Sequence, residues 1–143
     1  MVTKPPWTIK KTVMPQHTDH AGVMWHGSYL NWLEESRIKA IEQSGLNYAE
    51  LLNRDIELPV SSLTIKFVAP IYLNEEIIIN SFFESSRGPR LAIYSKFMNK
   101  NKKITTEANI NLVLIRKTNF TIIRRKPEFI EEAFKNLCEG PKA

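Results

Sequence analysis

Residues 28–45 read SYLNWLEESRIKAIEQSG, and their apolar side chains recur at the spacing of an α-helix rather than a strand. The apolar positions are Leu30, Leu33, Ile38 and Ile41. They fall near i, i+3, i+8 and i+11, which places them on one helical face. Ser28 is of a type that caps helix starts, and Gly45 lies where helices commonly end. We therefore predict one long amphipathic helix from about Ser28 to Ser44, with a face that must be buried.

The chain on either side of this helix is predicted to be mainly strand, because apolar and polar residues alternate along it. The alternating positions are Trp7, Ile9 and Val13; Leu63, Ile65, Phe67 and Ala69; Ile77, Ile79 and Phe83; Leu91, Ile93 and Phe97; and Ile104, Thr106, Ala108, Ile110, Leu112 and Leu114. Shorter elements are predicted as a helical turn or two at 47–54, a strand at 120–124 and a closing helix at 127–137 that Pro127 opens. One long helix with four or more antiparallel strands is an α+β arrangement, in which the sheet wraps around the helix. The uncovered part of such a sheet favours self-association.

The composition is that of an ordinary globular domain. The chain has 143 residues, 43% of them hydrophobic and 24% charged, which fits one domain over residues 1–143. No apolar run reaches the roughly 18–20 residues of a membrane helix, and the N-terminus MVTKPPWTIKK lacks the apolar core of a signal peptide. The one cysteine, Cys138, cannot form an internal disulfide. These features predict a cytoplasmic protein with no membrane partner.

The net charge of +5 arises entirely from the second half of the chain. Residues 1–70 carry seven Lys and Arg against seven Asp and Glu, whereas residues 71–143 carry thirteen against eight. A basic half attracts a nucleic acid, an anionic membrane or a phosphorylated small molecule, or is simply a solvated face. Because the sequence has no nucleic-acid motif and no basic residues interleaved with aromatics, no nucleic-acid partner is expected.

All three histidines lie in one segment, residues 16–29, QHTDHAGVMWHGSY, together with Asp19. Three imidazoles and a carboxyl group are metal ligands, but His17 and His20 flank Asp19 without the spacing of a ligand pair, and no second cluster follows. We therefore predict no metal. An acid–base pair of Asp19 with a histidine stays open, although a histidine in a polar loop is more often a surface or structural residue. A nucleophilic triad lacks an activated Ser, Cys or Thr.

The backbone of this loop offers a third kind of chemistry. In AGVMWHGS two glycines, Gly22 and Gly27, bracket a bulky segment just before the predicted helix. The first N–H groups of a helix have no internal acceptor, and the helix dipole adds about half a positive charge there. Such an end stabilises an oxyanion, and Asp19, seven residues before His26, can face the same carbonyl from the other side. A carboxyl group and a helix start suffice to cleave an activated acyl group.

The run TDHAGVMWHGSY, followed by WLEESR, resembles the signature of the hotdog-fold acyl-CoA thioesterases of the 4-hydroxybenzoyl-CoA thioesterase type. That signature is roughly D-x-x-G-x-V-Y-H-x-x-Y, then an aromatic residue and E-x-x-R. The matching positions are Asp19, Gly22, His26, Tyr29, Glu34 and Arg37. The chain departs from the family at Met24-Trp25, where Val-Tyr is usual, and at 118–120, where a late-turn glycine is missing. The resemblance spans about residues 7–135 and implies the α+β hotdog fold, an antiparallel sheet wrapped around one long central helix.

The resemblance also implies a thioester hydrolase that needs no cofactor, since coenzyme A is part of its substrate. Asp19 is then the catalytic carboxylate, as nucleophile or as general base on water, and the backbone N–H of His26 polarises the thioester carbonyl. Glu34 either orients water or the loop, or forms an i, i+3 ion pair with Arg37. Contacts with the acyl group are implied for Gly22, Met24, Trp25 and Tyr29. Contacts with the phosphates of CoA are implied for Arg87, Gly88, Arg90, Arg116 and Arg125.

The sequence leaves alternatives open for the acyl group and for the type of reaction. Met24, Trp25 and Tyr29 suggest an apolar pocket, and members of the family act on hydroxybenzoyl-CoA, 1,4-dihydroxy-2-naphthoyl-CoA, or short and branched acyl-CoA. A hydratase or dehydratase on the same fold resembles D-x4-H, whereas six residues separate Asp19 from His26 here. A non-catalytic acyl-CoA or acyl-carrier binder is the third possibility. We expect a homodimer or homotetramer with its sites at a subunit boundary.

Overall fold

The structure is a computed structural model that describes residues 4–142. Its elements in chain order are β1 (Trp7–Thr12), α1 (His26–Gln43), α2 (Tyr48–Asn53), β2 (Ile56–Glu57), β3 (Val60–Phe67), β4 (Glu76–Ser85), β5 (Arg90–Met98), β6 (Ile104–Val113), β7 (Ile115–Arg116) and α3 (Glu128–Glu139). Five strands form one antiparallel sheet in the order β1-β4-β5-β6-β3, and β2 pairs separately with β7. The five strands of the sheet are the ones that the alternation predicts.

The sheet buries one face, because the apolar residues of neighbouring strands are in register. Ile79 of β4 lies opposite Phe97 of β5, and Ile93 of β5 lies opposite Ile110 of β6. These side chains join Trp32 of α1 in one buried core, to which α3 also contributes. Both helices therefore cover the same face, and α1 follows directly from the loop that carries the candidate site.

The long helix begins two residues earlier than predicted and buries the predicted face only in part, since Leu33 and Ile41 are buried as predicted. The residue before α1 is Trp25, so the predicted cap at Ser28 is wrong; the Ser28 hydroxyl instead donates to the carbonyl oxygen of His17 at 2.9 Å. Leu30, predicted to be buried, is 43% exposed. The buried residues of α1 are Ser28, Tyr29, Trp32, Leu33, Ser36, Ala40 and Ile41.

The spacing of apolar residues does not predict this whole face, because polar side chains form part of it. The buried hydroxyl of Ser36 lies 3.1 Å from that of Ser81 in β4, which lies 2.7 Å from that of Ser95 in β5. Each hydroxyl in the row satisfies the next, so that polar groups are buried without the cost of an unmade hydrogen bond. The row lets small polar side chains face the sheet at positions that the apolar spacing does not include.

The predicted strand at 120–124 is wrong, whereas the closing helix is present. Ile122 forms an isolated bridge with Ile115, and the strand pair in this region is β7 with β2. The chain reverses because the N–H of Phe120 donates to the carbonyl of Arg116 at 2.8 Å, with Phe120 at φ +56°. The tight turn therefore ends where the strand is predicted to begin, and the residues after it pair with 114–116 through a single bridge instead of forming a strand. Helix α3 ends two residues beyond the predicted limit of 137.

Strand β3 lies at the edge of the sheet and exposes apolar side chains. Its one strand neighbour in the described part of the chain is β6. Val60, Leu63 and Phe67 are 43%, 41% and 55% exposed, and Val68, which follows the strand, is 48% exposed. An open strand edge with apolar side chains is a surface on which another chain can pair.

Candidate active site

The loop before α1 is a tight hairpin that leads directly into the helix. The N–H of Asp19 donates to the carbonyl of Val23 at 2.8 Å, and the N–H of Trp25 donates to the carbonyl of His17 at 3.1 Å. Gly22 closes the turn with φ +77°, a left-handed conformation that favours glycine. Because Asp19 lies opposite Val23 in the hairpin, three residues, or about 10 Å of extended chain, separate it from His26 at the start of α1.

The Asp19 side chain is exposed and its position is fixed by its own loop. Its Oδ1 accepts the N–H groups of Ala21 and Val23, at 2.8 Å and 3.2 Å. Within residues 4–142, Oδ2 has no hydrogen-bond donor, so one carboxyl oxygen is held while the other is free to reach a water or a carbonyl carbon. This is the arrangement that a nucleophile or a general base needs.

The start of α1 is open. Trp25 makes no capping hydrogen bond with its side chain, and Ser28 N–H is the first amide to find an acceptor, the Trp25 carbonyl at 3.0 Å. The N–H groups of His26 and Gly27 have no acceptor in the described part of the chain. Two donors without an acceptor and the positive end of an 18-residue helix dipole therefore lie at the helix start that follows the Asp19 hairpin.

The indole of Trp25 lies over the first turn of α1, and Gly27 makes room for it. A Cβ placed on Gly27 would meet the Cη2 atom of Trp25 at 2.1 Å, so any side chain at 27 displaces the indole. The indole also contacts the His26 imidazole edge-on, with centroids 5.1 Å apart, and is 44% exposed. Trp25 is therefore an apolar wall directly beside the free amides.

The other residues predicted to touch the acyl group have different environments. Met24 is 4% exposed and Tyr29 is 2% exposed, so both pack in the core of the single chain. The Tyr29 ring stacks on Phe97 with centroids 5.6 Å apart and meets Phe67 edge-on at 5.0 Å. Burial raises the pKa of Tyr29 above its usual value. In one chain Trp25 is the exposed member of the predicted set, and Phe67 is an exposed aromatic residue that the motif does not include.

His17 is a structural residue that the motif leaves without a role. Its Nδ1 accepts the N–H of Met14 at 2.9 Å, and its ring packs edge-on against Trp32 with centroids 5.1 Å apart. Burial, followed by the positive charge of Lys11, lowers the pKa of His17 below its usual value. Because Nδ1 is an acceptor, the imidazole is neutral, and its backbone carbonyl anchors Trp25 and Ser28.

Glu34 does not lie near the other candidate catalytic groups of its own chain. It follows His26 by eight residues, about 12 Å along the helix axis. Its carboxyl is 63% exposed and lies 3.8 Å from the Arg37 guanidinium, a loose i, i+3 ion pair. An exposed pair of this kind contributes at most about 1 kcal/mol.

The basic residues form a second candidate region, around the connection of β4 to β5. We call residues 86–90 the basic turn, since they include Arg87 and Arg90. The carbonyl of Pro89 accepts Leu114 N–H, and the carbonyl of Leu114 accepts Ile123 N–H, both at 2.9 Å, which brings the chain leading to Arg125 beside the turn.

The guanidinium groups of this region differ in what they contact. Arg87, Arg90 and Arg125 are exposed, and none is within ion-pair distance of a carboxylate in residues 4–142. Arg116 instead donates to the carbonyl of Arg54 at 3.2 Å, so its guanidinium is turned toward α2. The first three therefore remain free to bind an anion.

The basic turn and the start of α1 lie at opposite ends of β5. Arg90 begins this strand, and Phe97, which contacts Tyr29 of the first helical turn, is seven residues later. Seven strand residues span about 23 Å. One chain therefore does not bring its predicted CoA-binding arginines next to its own Asp19.

Among residues 4–142, no three His, Cys, Asp or Glu side chains gather as ligands of one metal ion. Over the same residues, none of the helices has the length and apolar character needed to cross a membrane.

Comparison with known proteins shows what this arrangement is similar to. The sequence profile of the thioesterase-like superfamily matches residues 13–137. A candidate esterase of Synechocystis sp. is 31% identical over 137 residues, which cover 95% of this chain and 82% of the relative. The acyl-CoA thioester hydrolase YbgC of Escherichia coli is 24% identical over 109 residues, covering 76% of this chain and 80% of the relative.

A solved structure extends the comparison to the fold. The crystal structure of DHNA-CoA thioesterase from Staphylococcus aureus superposes with a TM-score of 0.81 and 25% identity, over 90% of this chain and 87% of that one. The α+β hotdog fold that the sequence motif predicts is confirmed by this likeness.

Proposed function

The chain belongs to the thioesterase-like superfamily and is a thioester hydrolase, and on this premise we propose that it cleaves acyl-CoA to a free acid and CoA with Asp19 and the open start of α1. The observation that carries the proposal is their juxtaposition on one hairpin. Asp19 has one carboxyl oxygen held by two loop amides, and the two free helical amides begin three residues beyond Val23, the residue opposite Asp19. The relatives that act on acyl-CoA thioesters support the choice of substrate.

The chemistry of a thioester suits this sparse machinery. Asp19 attacks the carbonyl carbon directly or removes a proton from the water that attacks it, and the helix amides stabilise the negative oxygen that forms. When the tetrahedral intermediate collapses, the C–S bond breaks and the thiolate of CoA leaves. A thiol pKa near 8.5 makes that thiolate a good leaving group, so no strong general acid is required. If Asp19 was the nucleophile, a water then hydrolyses the anhydride between the acyl group and Asp19; on either route one water is consumed and the free acid is released.

We propose an apolar, aromatic-compatible acyl group. The exposed indole of Trp25 beside the helix amides supports this assignment, since an aromatic ring stacks on an indole more favourably than a polar group does. The DHNA-CoA thioesterase of Staphylococcus aureus, a structural neighbour, acts on a bicyclic aromatic acyl group, in line with this proposal. Met24 and Tyr29 then shape the site from the core side.

A second copy of the chain is proposed to complete the site. The open apolar edge of β3 supports pairing with the same edge of a partner, which by two-fold symmetry is antiparallel. At one end of β3, Val60 pairs with Leu112, and the next residue of β6 lies opposite Arg90. At the other end of β3, Phe67 contacts Tyr29 in the first turn of α1. Antiparallel pairing therefore brings the basic turn of one copy toward the helix start of the other, which removes the 23 Å separation within one chain, a distance of about seven strand residues.

The proposed reaction is tested by release of free thiol from a panel of aromatic, short and branched acyl-CoA thioesters. We expect Asp19→Asn to lower kcat about 10²- to 10⁴-fold, the usual contribution of a positioned acid–base group. His26→Ala is the matched control, because it keeps the backbone N–H and should retain most of the activity. Wild-type turnover in Asp19→Asn would contradict the mechanism. Binding without thiol release in the wild type would instead identify a non-catalytic acyl-CoA binder.

The proposed dimer is tested by mixing two defective variants. Asp19→Asn lacks the carboxylate, and Arg87→Ala/Arg90→Ala lacks the basic turn's charges. If a site uses one chain's carboxylate and its partner's arginines, random mixing leaves about a quarter of the sites intact, so that activity at low acyl-CoA concentration recovers. No recovery in dimers that exchange subunits would show that each site is built from a single chain.

A further inference from the structure

We infer that Lys126 is a positioning residue: it holds the basic turn in the shape that binds the nucleotide end of CoA and takes no part in bond cleavage. The inference rests on the proposed function and deepens it, since it concerns how the substrate is held rather than how it is cut. No motif in the sequence singles out this lysine, which is the third of three successive basic residues, Arg124, Arg125 and Lys126.

The ammonium group of Lys126 is bound entirely by backbone. Its Nζ donates to the carbonyl oxygens of three consecutive residues, Ser86 at 2.8 Å, Arg87 at 3.1 Å and Gly88 at 2.8 Å. A lysine ammonium has three N–H donors, so each of them is used. The group also lies 5.7 Å from the ring centroid of Phe134, above the buried side of α3. Its charge is therefore directed into the protein, whereas the neighbouring Arg125 is exposed.

Three consecutive carbonyl oxygens that converge on one point repel each other unless a cation lies between them. The turn contains Gly88, whose backbone freedom gives an unrestrained loop many alternative shapes. Charge-assisted hydrogen bonds to all three carbonyls select one of these shapes. Arg87 and Arg90 then extend from a fixed backbone, and less ordering is needed when an anion binds.

Lys126 also fixes the distance between the two basic segments. Arg125 is the preceding residue, so the same contact that shapes the turn keeps this arginine beside it. The ladder from Pro89 to Leu114 to Ile123 supports the same arrangement through the backbone. Three exposed guanidinium groups are thereby gathered around one lysine, which matches a ligand with several phosphate groups, as CoA has.

The test separates affinity for the nucleotide from catalysis. We would compare an acyl-CoA with the same acyl group on pantetheine, which has the thioester but no nucleotide. In Lys126→Met we expect KM for the acyl-CoA to rise about tenfold, because the arginines must be ordered on binding, with kcat within about twofold of the wild type. KM for the acyl-pantetheine should not change. Lys135→Met, which removes an exposed lysine of α3, is the matched control and should resemble the wild type.

Lys126→Arg separates positioning from charge. It keeps the positive charge, but a planar guanidinium does not direct three N–H groups at three converging carbonyls, so KM for the acyl-CoA should stay raised. Recovery of the wild-type KM in this variant would overturn the inference, because charge alone would then suffice. The same variant carries the test if Lys126→Met does not fold.

The remaining outcomes are equally decisive. An unchanged KM in Lys126→Met overturns the inference, as does a loss of kcat with both substrates, which would indicate general damage to the fold. If the wild type releases no thiol from any thioester, the proposed function fails by itself. Calorimetric titration of wild type and Lys126→Met with CoA then still tests the lysine, and equal affinities would overturn its role.

Discussion

The two helices that follow each other along the chain begin in opposite ways. Helix α2 is closed by Asn47, whose side-chain oxygen accepts the N–H of Glu50 at 2.6 Å. Helix α1 follows Trp25, which has no side-chain acceptor, and the amides of His26 and Gly27 are left free. The short helix thus has a side-chain cap, whereas the first two backbone N–H groups of the long helix have no acceptor among the described residues.

The difference follows from what holds each helix in place. Helix α1 buries seven of its residues, whereas α2 has one buried residue, Leu51. A cap contributes about 1 kcal/mol, a small share of the stabilisation that seven buried residues give but a large share for a six-residue helix. Packing therefore stabilises α1 without a cap, and its free amides remain available to a ligand. An uncapped start on a well-packed helix is therefore compatible with the role that we propose for it.

Among changes at the two helix starts, closing the start of α1 should have the largest effect. In Trp25→Asp the new carboxylate is placed to accept the N–H of Gly27 or Ser28 and puts a negative charge where the oxyanion forms. We expect kcat to fall about 100-fold, the cost of losing one oxyanion donor, measured by thiol release. The melting temperature should not fall as far as in Trp25→Ala.

Trp25→Ala is the control for this experiment, because it removes the indole without adding a cap. Its amides stay free, so its kcat should lie well above that of Trp25→Asp. Equal kcat values in the two variants would mean that the reaction does not use the helix start.

Moving the indole without replacing it should have an intermediate effect. Gly27→Ala places a methyl group where the indole lies, and the exposed indole must swing away from the first turn. We expect KM for an aromatic acyl-CoA to rise about two- to tenfold, the range for loss of one aromatic contact, with a smaller change for a short aliphatic acyl-CoA. The double variant Trp25→Ala/Gly27→Ala should have the same KM as Trp25→Ala alone. Additive effects would contradict contact between residues 25 and 27.

Removing the cap of α2 should affect stability alone. Asn47→Ala loses the hydrogen bond to Glu50 and should lower the free energy of unfolding by about 1 kcal/mol, measured by chemical denaturation. Asn47→Asp keeps an acceptor and is expected to preserve stability. Because α2 is not part of the candidate site, kcat and KM of both variants should equal those of the wild type. A loss of activity in Asn47→Ala would remove the contrast between the two helix starts.

The sequence predicts the parts of this molecule that repeat a simple period. Alternation identifies the five strands of the sheet, four of which bury one face in this chain, and the spacing from Leu30 to Ile41 identifies a long helix. It identifies the buried face of that helix only in part, because some of the contact with the sheet runs through the hydroxyls of Ser36, Ser81 and Ser95. A hydrophobic pattern contains no information about partners that satisfy each other across the core.

In the candidate site, too, the sequence predicts some residues and does not predict others. The motif names Asp19 and His26, which are close in sequence and remain close on one hairpin. It does not name Lys126, because the turn that this lysine holds is about forty residues away and the contact is with carbonyls, which every residue carries. His17 is likewise an acceptor for a backbone amide. Contacts with the main chain do not depend strongly on residue type, so they are difficult to predict from the sequence.

The smallest effect we predict concerns His17, which supports the hairpin that carries Asp19. Burial and Lys11 lower its pKa in the folded state, so the unfolded chain binds a proton more readily. The stability that neutral His17 contributes is therefore complete above its unfolded pKa of about 6.5 and is lost as pH falls below that value. Protonation also removes the acceptor for the Met14 amide. When the pH falls from 7.5 to 5.5, the melting temperature of the wild type should fall further than that of His17→Phe. This variant keeps the ring contact with Trp32 but cannot titrate. Parallel curves for the two proteins would show that the imidazole does not support the hairpin through its neutral form.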